Sequence, residues 1–202
     1  MSGTRKAPRD WVGPLTLRGY GVTLRPLTDA DLAPLFAVTP VDTFRFYSVP
    51  PPTTSLEAFV QHMRGVIADP TRVQFAVVVD EGERIVGSTS YMDIRPEHRG
   101  LEVGFTWYTP QLRGTRVNPA CKRLLIGHAI DTLGAVRVQI KTDVRNKHSQ
   151  AAIEKLGATR EGVLRASFIQ PDGHVRDTVY YSVLPAEWPR MREGLDARLS
   201  GH

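Results

Sequence analysis

The sequence predicts a mixed α/β domain, with a central mixed, mostly antiparallel sheet and helices on both faces. Three observations carry this reading. Strand-patterned and helix-patterned runs alternate in the order β-α-α-β-β-β-α-β-α-β-β, a meander followed by β-α-β-α and a hairpin, which calls for parallel as well as antiparallel neighbours. The stretch 119–133 carries Cys121, Leu125, Ala129 and Thr132 on one helical stripe, widened by Leu124, Ile126, Ile130 and Leu133. So broad an apolar face belongs against a sheet. Finally, Pro171-Asp172-Gly173 stands between two long strand runs and reads as a hairpin turn, because proline presets one backbone angle and glycine accepts the unusual one.

Each element has its own local warrant. Residues 1–14 open polar and basic and read as a flexible arm, with Trp11 able to dock it. Val22 to Leu27 reads as a first strand ending at Pro26. Thr28 and Asp31 form a capping box for a helix that buries Leu32, Leu35 and Phe36. After Pro40 the pattern breaks into a connection holding Phe44, Phe46, Tyr47 and Pro50-Pro51-Pro52. Thr54 and Glu57 form a second expected capping box, ahead of Leu56, Phe59, Val60, Met63, Val66 and Ile67 at helical spacing. Strands follow over 73–80, 85–94 and 101–108. Asn118 is the expected N-cap and Pro119 the first residue of a helix that Gly134 closes. Residues 135–142 alternate as a strand with Val136, Val138 and Ile140 on one face, and Asn146 to Leu156 forms a helix closed by Gly157. After strands over 159–169 and 175–184, Trp188, Met191, Leu195 and Leu199 share a helical face. The expected domain is 15–188, with 189–202 as a helical tail.

Composition bounds the function. At 202 residues, 41% hydrophobic and 23% charged, the chain suits one soluble domain with a sizeable core. No apolar run approaches the roughly 18 residues of a membrane span, and the start lacks the apolar core of a signal peptide. A single cysteine, Cys121, rules out an internal disulfide and fits a reducing cytoplasm. The net charge of +5 favours polyanionic ligands, but the arginines are scattered, which argues against a dedicated nucleic-acid surface.

The turn from Gln111 to Pro119 is the most informative stretch. A strand rich in aromatic and β-branched residues enters it, Gly114 lies within it, and a helix leaves it. Such a turn aims backbone N–H groups and a helix dipole at an anion. Arg113, Arg116, Lys122 and Arg123 add side-chain charge, so the expected ligand is the pyrophosphate of a nucleotide-like cofactor; an ordinary basic turn before a capped helix is the alternative.

The same order of elements resembles the GCN5-related N-acetyltransferases (GNAT), and from about Leu15 to Trp188 it is similar to their RimJ/RimL-like branch, which acetylates ribosomal-protein N-termini. Three stretches carry the resemblance: Leu17-Arg18-Gly19 through Leu24-Arg25-Pro26-Leu27; Glu102-Val103-Gly104-Phe105 running into the Gln111 turn; and Asn146 through Ala158 followed by Glu161-Gly162. The resemblance implies acetyl-CoA as co-substrate, in a V between two parallel strands that splay apart, here those starting near Leu101 and Ala135. Pantetheine would run by Trp107, Tyr108 and Thr109, and the pyrophosphate would sit on Arg113, Gly114, Thr115, Arg116, Val117 and Asn118, with Lys122 nearby. The family pattern Gln/Arg-x-x-Gly-x-Gly/Ala is met at Gln111 and Gly114 but has Arg116 last, where a Cβ occupies space that glycine leaves open. An ion pair from Arg116 to phosphate would compensate.

Acetyl transfer from a thioester to an amine needs a deprotonated amine, a stabilised oxyanion and a proton for the departing thiolate. An N-terminal α-amine, with a pKa near 7.7–8.0, asks less of a base than a lysine at about 10.4. Glu102 is the candidate base, acting through water, at a position where similar enzymes carry glutamate; Asp93 is the second choice. Asn146 and Ser149 share a face at a helix start. They can simply cap that helix, and the resemblance adds that Asn146 contacts pantetheine while Ser149 protonates or orients the thiolate. Phe46, Tyr47 and Trp107, with Phe44, are candidates for the acceptor pocket. The histidines show no metal-ligand spacing. The expected function is acetyl-CoA-dependent N-acetylation of a protein N-terminal α-amine. A small-amine acetyltransferase, a transferase of another acyl group such as succinyl, and a non-catalytic acyl-CoA-binding protein stay open, as does a homodimer.

Overall fold

The computed structural model describes residues 7–13 and 15–201. It begins with a short helix α1 (Pro8–Val12), the narrow hairpin β1 (Leu17–Gly19) and β2 (Val22–Pro26), and helices α2 (Asp29–Ala37) and α3 (Leu56–Ala68). A meander of β3 (Val73–Val79), β4 (Arg84–Arg95) and β5 (Gly100–Tyr108) follows. Then come α4 (Val117–Gly127), β6 (Arg137–Asp143), α5 (Lys147–Leu156), the hairpin β7 (Thr159–Ile169) and β8 (Val175–Val183), and α6 (Trp188–Ser200). The strands form one sheet in the order β1-β2-β3-β4-β5-β6-β8-β7, and among the described residues only β5 and β6 pair in parallel.

Alternation along the strands builds two cores. On one face Leu24, Phe75, Tyr91, Leu101, Val103, Val138 and Val179 pack with Cys121, Leu125 and Ile126 of α4, Ile153 of α5, and Trp188 and Leu195 of α6. On the other, Ala76, Val78 and Trp107 pack with Leu32 and Leu35 of α2 and Phe59 and Met63 of α3. Each large side chain fully withdrawn from water contributes roughly 1.5–3 kcal/mol. The predicted mixed sheet with helices on both faces is therefore what forms.

Several local expectations shift. Part of the expected arm is docked: α1 buries Val12, and Arg9 donates to the carbonyls of Ile67, Asp69 and Arg72. Residues 1–6, 14 and 202 lie outside the described residues. The capping box at Thr28 forms, but α3 is capped by Ser55, whose Oγ accepts from the Ala58 N–H, and not by Thr54. An N-cap reaches the second or third amide of its helix, and Ser55 alone stands at that spacing. Helix α4 starts at Val117 with Arg116 before it, so Asn118 is not the cap and Pro119 is the third helical residue. Proline is tolerated anywhere in a first turn, whose N–H groups lack intrahelical partners, so it marks the turn and not its first position. Val136 precedes β6 and is exposed, while Val138 and Ile140 are buried. The expected tail is part of the core through Trp188, Met191, Leu195 and Leu199.

Candidate active site

The site is a gap in the sheet. Strands β5 and β6 pair only at Gly100 with Arg137, Leu101 with Val138 and Glu102 with Gln139. Beyond that point β5 stays with β4 as far as Tyr108, and β6 stays with β8 as far as Asp143, so the two diverge into an open V. A bulge drives β5 away. Ser88 faces Trp107 while Ser90 faces Gly104, which leaves an extra residue in β5, and Phe105 has φ +49°. One inserted residue reverses the alternation. Leu101 and Val103 point to the α4 face, yet Trp107 points to the α2–α3 face and Tyr108 returns to the α4 face.

Glu102 sits at the vertex of the V and is 2% exposed. Its Oε2 accepts from Gln139 Nε2 (3.0 Å) and pairs with Lys141 Nζ (2.9 Å). Its Oε1 lies against Gly104, where a Cβ would stand only 2.9 Å away, so the missing side chain makes room for the carboxylate. Asp93 is half exposed, with φ +47°, and is paired with Arg95 at 3.5 Å.

At the open end of β5 the chain makes the basic turn. Gly114 has φ +77°, which glycine adopts without strain, and α4 starts with no acidic residue in its first turn. Its leading amides are oriented as an anion site requires. The side chains are used differently from expectation. Arg116 donates to the Leu199 carbonyl (3.0 Å) and Arg113 to Thr43 Oγ1 (3.2 Å). Asn118 Oδ1 accepts from the Tyr108 hydroxyl (3.1 Å). Lys122 is 5% exposed and reaches inward to Thr106 Oγ1 (2.9 Å), so it does not flank the turn. Burial pulls its pKa from 10.5 to about 8. Cys121 is a core residue whose thiol is pushed up to about 11 by the same effect.

Across the V, β6 ends at Asp143 and Asn146 caps α5, its Oδ1 accepting from the Ser149 N–H (3.0 Å). The capping role is thus realised, and the partly exposed Ser149 hydroxyl stays available at that mouth. Tyr47 reaches from the 40–55 connection to donate to the Thr106 carbonyl (2.5 Å), which ties that loop to the bulge; burial raises its pKa far above 10. Phe46 is half-buried between the guanidinium groups of Arg45 and Arg145. Trp107 does not line a pocket: it is 4% exposed, edge-on to Phe44 and Phe105, with Nε1 bonded to Thr39 Oγ1. The bulge put it into the core.

Sequence reasoning singles out none of Gln139, Lys141, Arg72 and Arg176. Gln139 and Lys141 hold the Glu102 carboxylate, and strict alternation against Val138 and Ile140 was their available signal. Arg72 stacks on Phe105 (4.8 Å), and Arg176, 4% exposed, donates to the Phe46 carbonyl and Ser48 Oγ. Neither had a local signal; the carboxylates they approach are Asp69 and Asp143, each at 3.9 Å. No group of three metal-ligating side chains occurs among the described residues. Nor, among them, is any helix long and apolar enough to cross a membrane.

Comparison with known proteins agrees with this geometry. Residues 22–159 match the family model described as Acetyltransferase (GNAT) domain. The chain is 30% identical over 135 residues to "Putative ribosomal N-acetyltransferase YdaF" of Bacillus subtilis (strain 168), covering 67% of this chain and 72% of that protein. It superposes on a GCN5-related N-acetyltransferase from Brucella melitensis with TM-score 0.88 and 25% identity, over 97% of this chain and 90% of the other. The fold is also that of Mycobacterium smegmatis RimJ in complex with CoA-disulfide (TM-score 0.73, 20% identity, 91% and 94% covered). The chain therefore belongs to the GNAT family and is an N-acetyltransferase.

Proposed function

We propose that the protein transfers the acetyl group of acetyl-CoA to the α-amine of a protein N-terminus, with ribosomal proteins as the class of target. The observation that carries this reading is the buried Glu102 at the vertex of the V, where the edges of β5 and β6 have no strand partner and can take an extended pantetheine arm. The leading turn of α4 and Gly114 suit a pyrophosphate through backbone amides, while Arg113 and Arg116 stay near enough to release their present contacts for it. In this reading Glu102 accepts the ammonium proton through water, Lys141 and Gln139 holding its carboxylate in place. An amine of pKa near 8 needs only such modest help. Ser149 supplies a hydroxyl to the departing thiolate, and Asn146 fixes the start of α5 beneath it. Phe46 and Tyr47 flank the acceptor side. Lys141 beside Glu102 favours an acceptor with a single ammonium over a polyamine, which would bring further positive charge toward it.

The test is Glu102→Gln, followed by release of CoA thiol with N-terminal peptides and by titration of CoA binding. Loss of kcat by about 10²–10⁴-fold with CoA affinity retained supports the assignment. Unchanged kcat overturns Glu102 as base, and silence of the wild type on every amine, with CoA bound, overturns acetyl transfer.

A further inference from the structure

Exposed apolar side chains gather on the β7–β8 hairpin: Val163, Leu164, Phe168, Ile169 and Val175. Two of them share a sheet face with Glu102. The register sets Glu102 opposite Gln139, Lys141 opposite Tyr180, Thr178 opposite Leu164 and Arg176 opposite Phe168. Paired residues face the same way and alternate residues of a strand do too, so Glu102, Lys141, Arg176, Leu164 and Phe168 all lie on the α2–α3 face. Helices α2 and α3 cover that face over β3 and the end of β5, and among the described residues no side chain of β6, β7 or β8 joins their core. The other face is closed, because Leu101, Val103 and Val138 pack against α4 and α5. Side-chain exposure rises from 3% at Glu102 to 21% at Lys141, and Phe168 is 39% exposed. The open approach to the carboxylate therefore runs over β6 and β8, past Phe168.

The Phe168 ring is close to the reacting group. Lys141 Nζ is 2.9 Å from Glu102 Oε2 and 5.9 Å from the ring centroid, so the ring stands within about 9 Å of the carboxylate. An α-amine that meets Glu102 through one water lies about 5 Å from it, which leaves the ring within reach of the acceptor's first side chain. The cations nearest Glu102 on this floor are already matched. Lys141 pairs with Glu102, and Arg145 donates from Nε and Nη2 to Asp143 at 3.0 and 2.7 Å. Arg176 donates to the Phe46 carbonyl and to Ser48 Oγ, and its Nε faces Asp143 Oδ2 at 3.9 Å. An acidic first side chain would find these cations serving internal partners, and a basic one would meet like charge. What remains unclaimed is apolar surface, which an apolar side chain covers with gain and a charged one only by losing hydration.

We infer that the acceptor carries a bulky apolar first residue, whose side chain rests on the Phe168 ring, and that Phe168 thereby sets the specificity. The inference rests on the acetyl-transfer reading and narrows its acceptor. Exposed apolar surface of this kind marks a place of interaction, and its continuity with Glu102 across one sheet face assigns it to the acceptor.

The experiment compares kcat/KM for peptides that differ only at the first residue (Leu, Ala, Asp or Arg). Wild type is expected to favour Leu over Ala by about tenfold, as covering three further carbons on one side gives, and to favour Ala over Asp and Arg. Phe168→Ala brings the Leu/Ala ratio near one, Phe168→Leu keeps most of it, and Phe168→Asp raises Arg above Leu. Ile169→Ala, on the opposite face of the same hairpin, leaves the ratio as in wild type. Thermal melting and CoA affinity of each variant establish that it is folded. Equal rates for Leu and Ala in wild type, preference for Asp or Arg, or a ratio unchanged by Phe168→Ala overturns the inference. A wild-type dimer in sedimentation that Phe168→Asp dissociates, with the Leu/Ala ratio unmoved, assigns the ring to a subunit contact and overturns it as well. Failure of every amine with acetyl-CoA bound overturns the underlying reading instead.

Discussion

Gly104→Ala displaces Glu102 without altering its chemistry. The added methyl would stand 2.9 Å from Glu102 Oε1 and 3.0 Å from Met92 Sδ, whereas ordinary contacts begin near 3.4 Å. Both obstructing atoms are ends of flexible side chains, so the strands keep their register and the carboxylate retreats, by about half an ångström. That retreat strains the 2.9 Å and 3.0 Å contacts to Lys141 and Gln139 that aim it. A misplacement of about 1 Å in a reacting group can cost about a hundredfold, so a loss of about tenfold in kcat is expected here. CoA affinity is unaffected, because the methyl faces Glu102. Stability changes little: alanine restricts the unfolded chain by about 0.4–1 kcal/mol relative to glycine, which offsets part of the crowding. Steady-state thiol release gives kcat and a melting curve gives stability. Wild-type kcat in Gly104→Ala, beside an inactive Glu102→Gln, would refute the claim that the position of this carboxylate limits the rate.

Two further predictions concern the fold. Ser55→Ala should lower stability by about 1 kcal/mol in a urea titration and Thr54→Ala by much less, since only Ser55 caps α3. Equal effects would contradict the observed cap. Lys122→Met should stabilise the protein at pH 7 by about 1–3 kcal/mol, because a buried ammonium with no carboxylate partner among the described residues is replaced by an apolar chain of similar length. The sign with pH follows from the depressed pKa. Between about 8 and 10.5 the unfolded chain keeps the Lys122 proton that the folded chain has lost, so wild-type stability gains on the variant as pH rises through that window. A difference between the two proteins that is independent of pH from 7 to 10 would contradict the burial of that charge.

How much could be read from residues alone depended on the range of the interaction. Periodic elements were legible because apolar spacing reflects burial directly: the α6 face and the 171–173 turn lie where the pattern set them, and of the 119–133 stripe Cys121, Leu125 and Ala129 are buried, whereas α4 ends at Gly127 and Thr132, at the end of the π-helical turn His128–Thr132, is exposed. Helix starts slipped by a residue or two, since Thr54 and Ser55 offer chemically equivalent hydroxyls and only the finished turn selects one. The site was half legible. Glu102, Asn146 and the Gly114 turn stand in recognisable local sequence, the first at the last β5–β6 pair and the others past the ends of β6 and β5. The bulge at Phe105 left no such trace, and by reversing the alternation it sent Trp107 into the core. Lys122 looked like a phosphate contact by its position in a basic stretch, yet the phase of α4 turned it inward to Thr106. Gln139 and Lys141 are remote from Glu102 in sequence, and only the pairing of β5 with β6 brings them to it.

The most direct test of the central claim is mass spectrometry of a peptide library incubated with acetyl-CoA and the protein, with the acetyl group mapped to the nitrogen that carries it. The account predicts acetylation at α-nitrogens in wild type and its loss in Glu102→Gln. Acetyl groups confined to lysine side chains or to added polyamines, or incorporation that persists in Glu102→Gln, would contradict it.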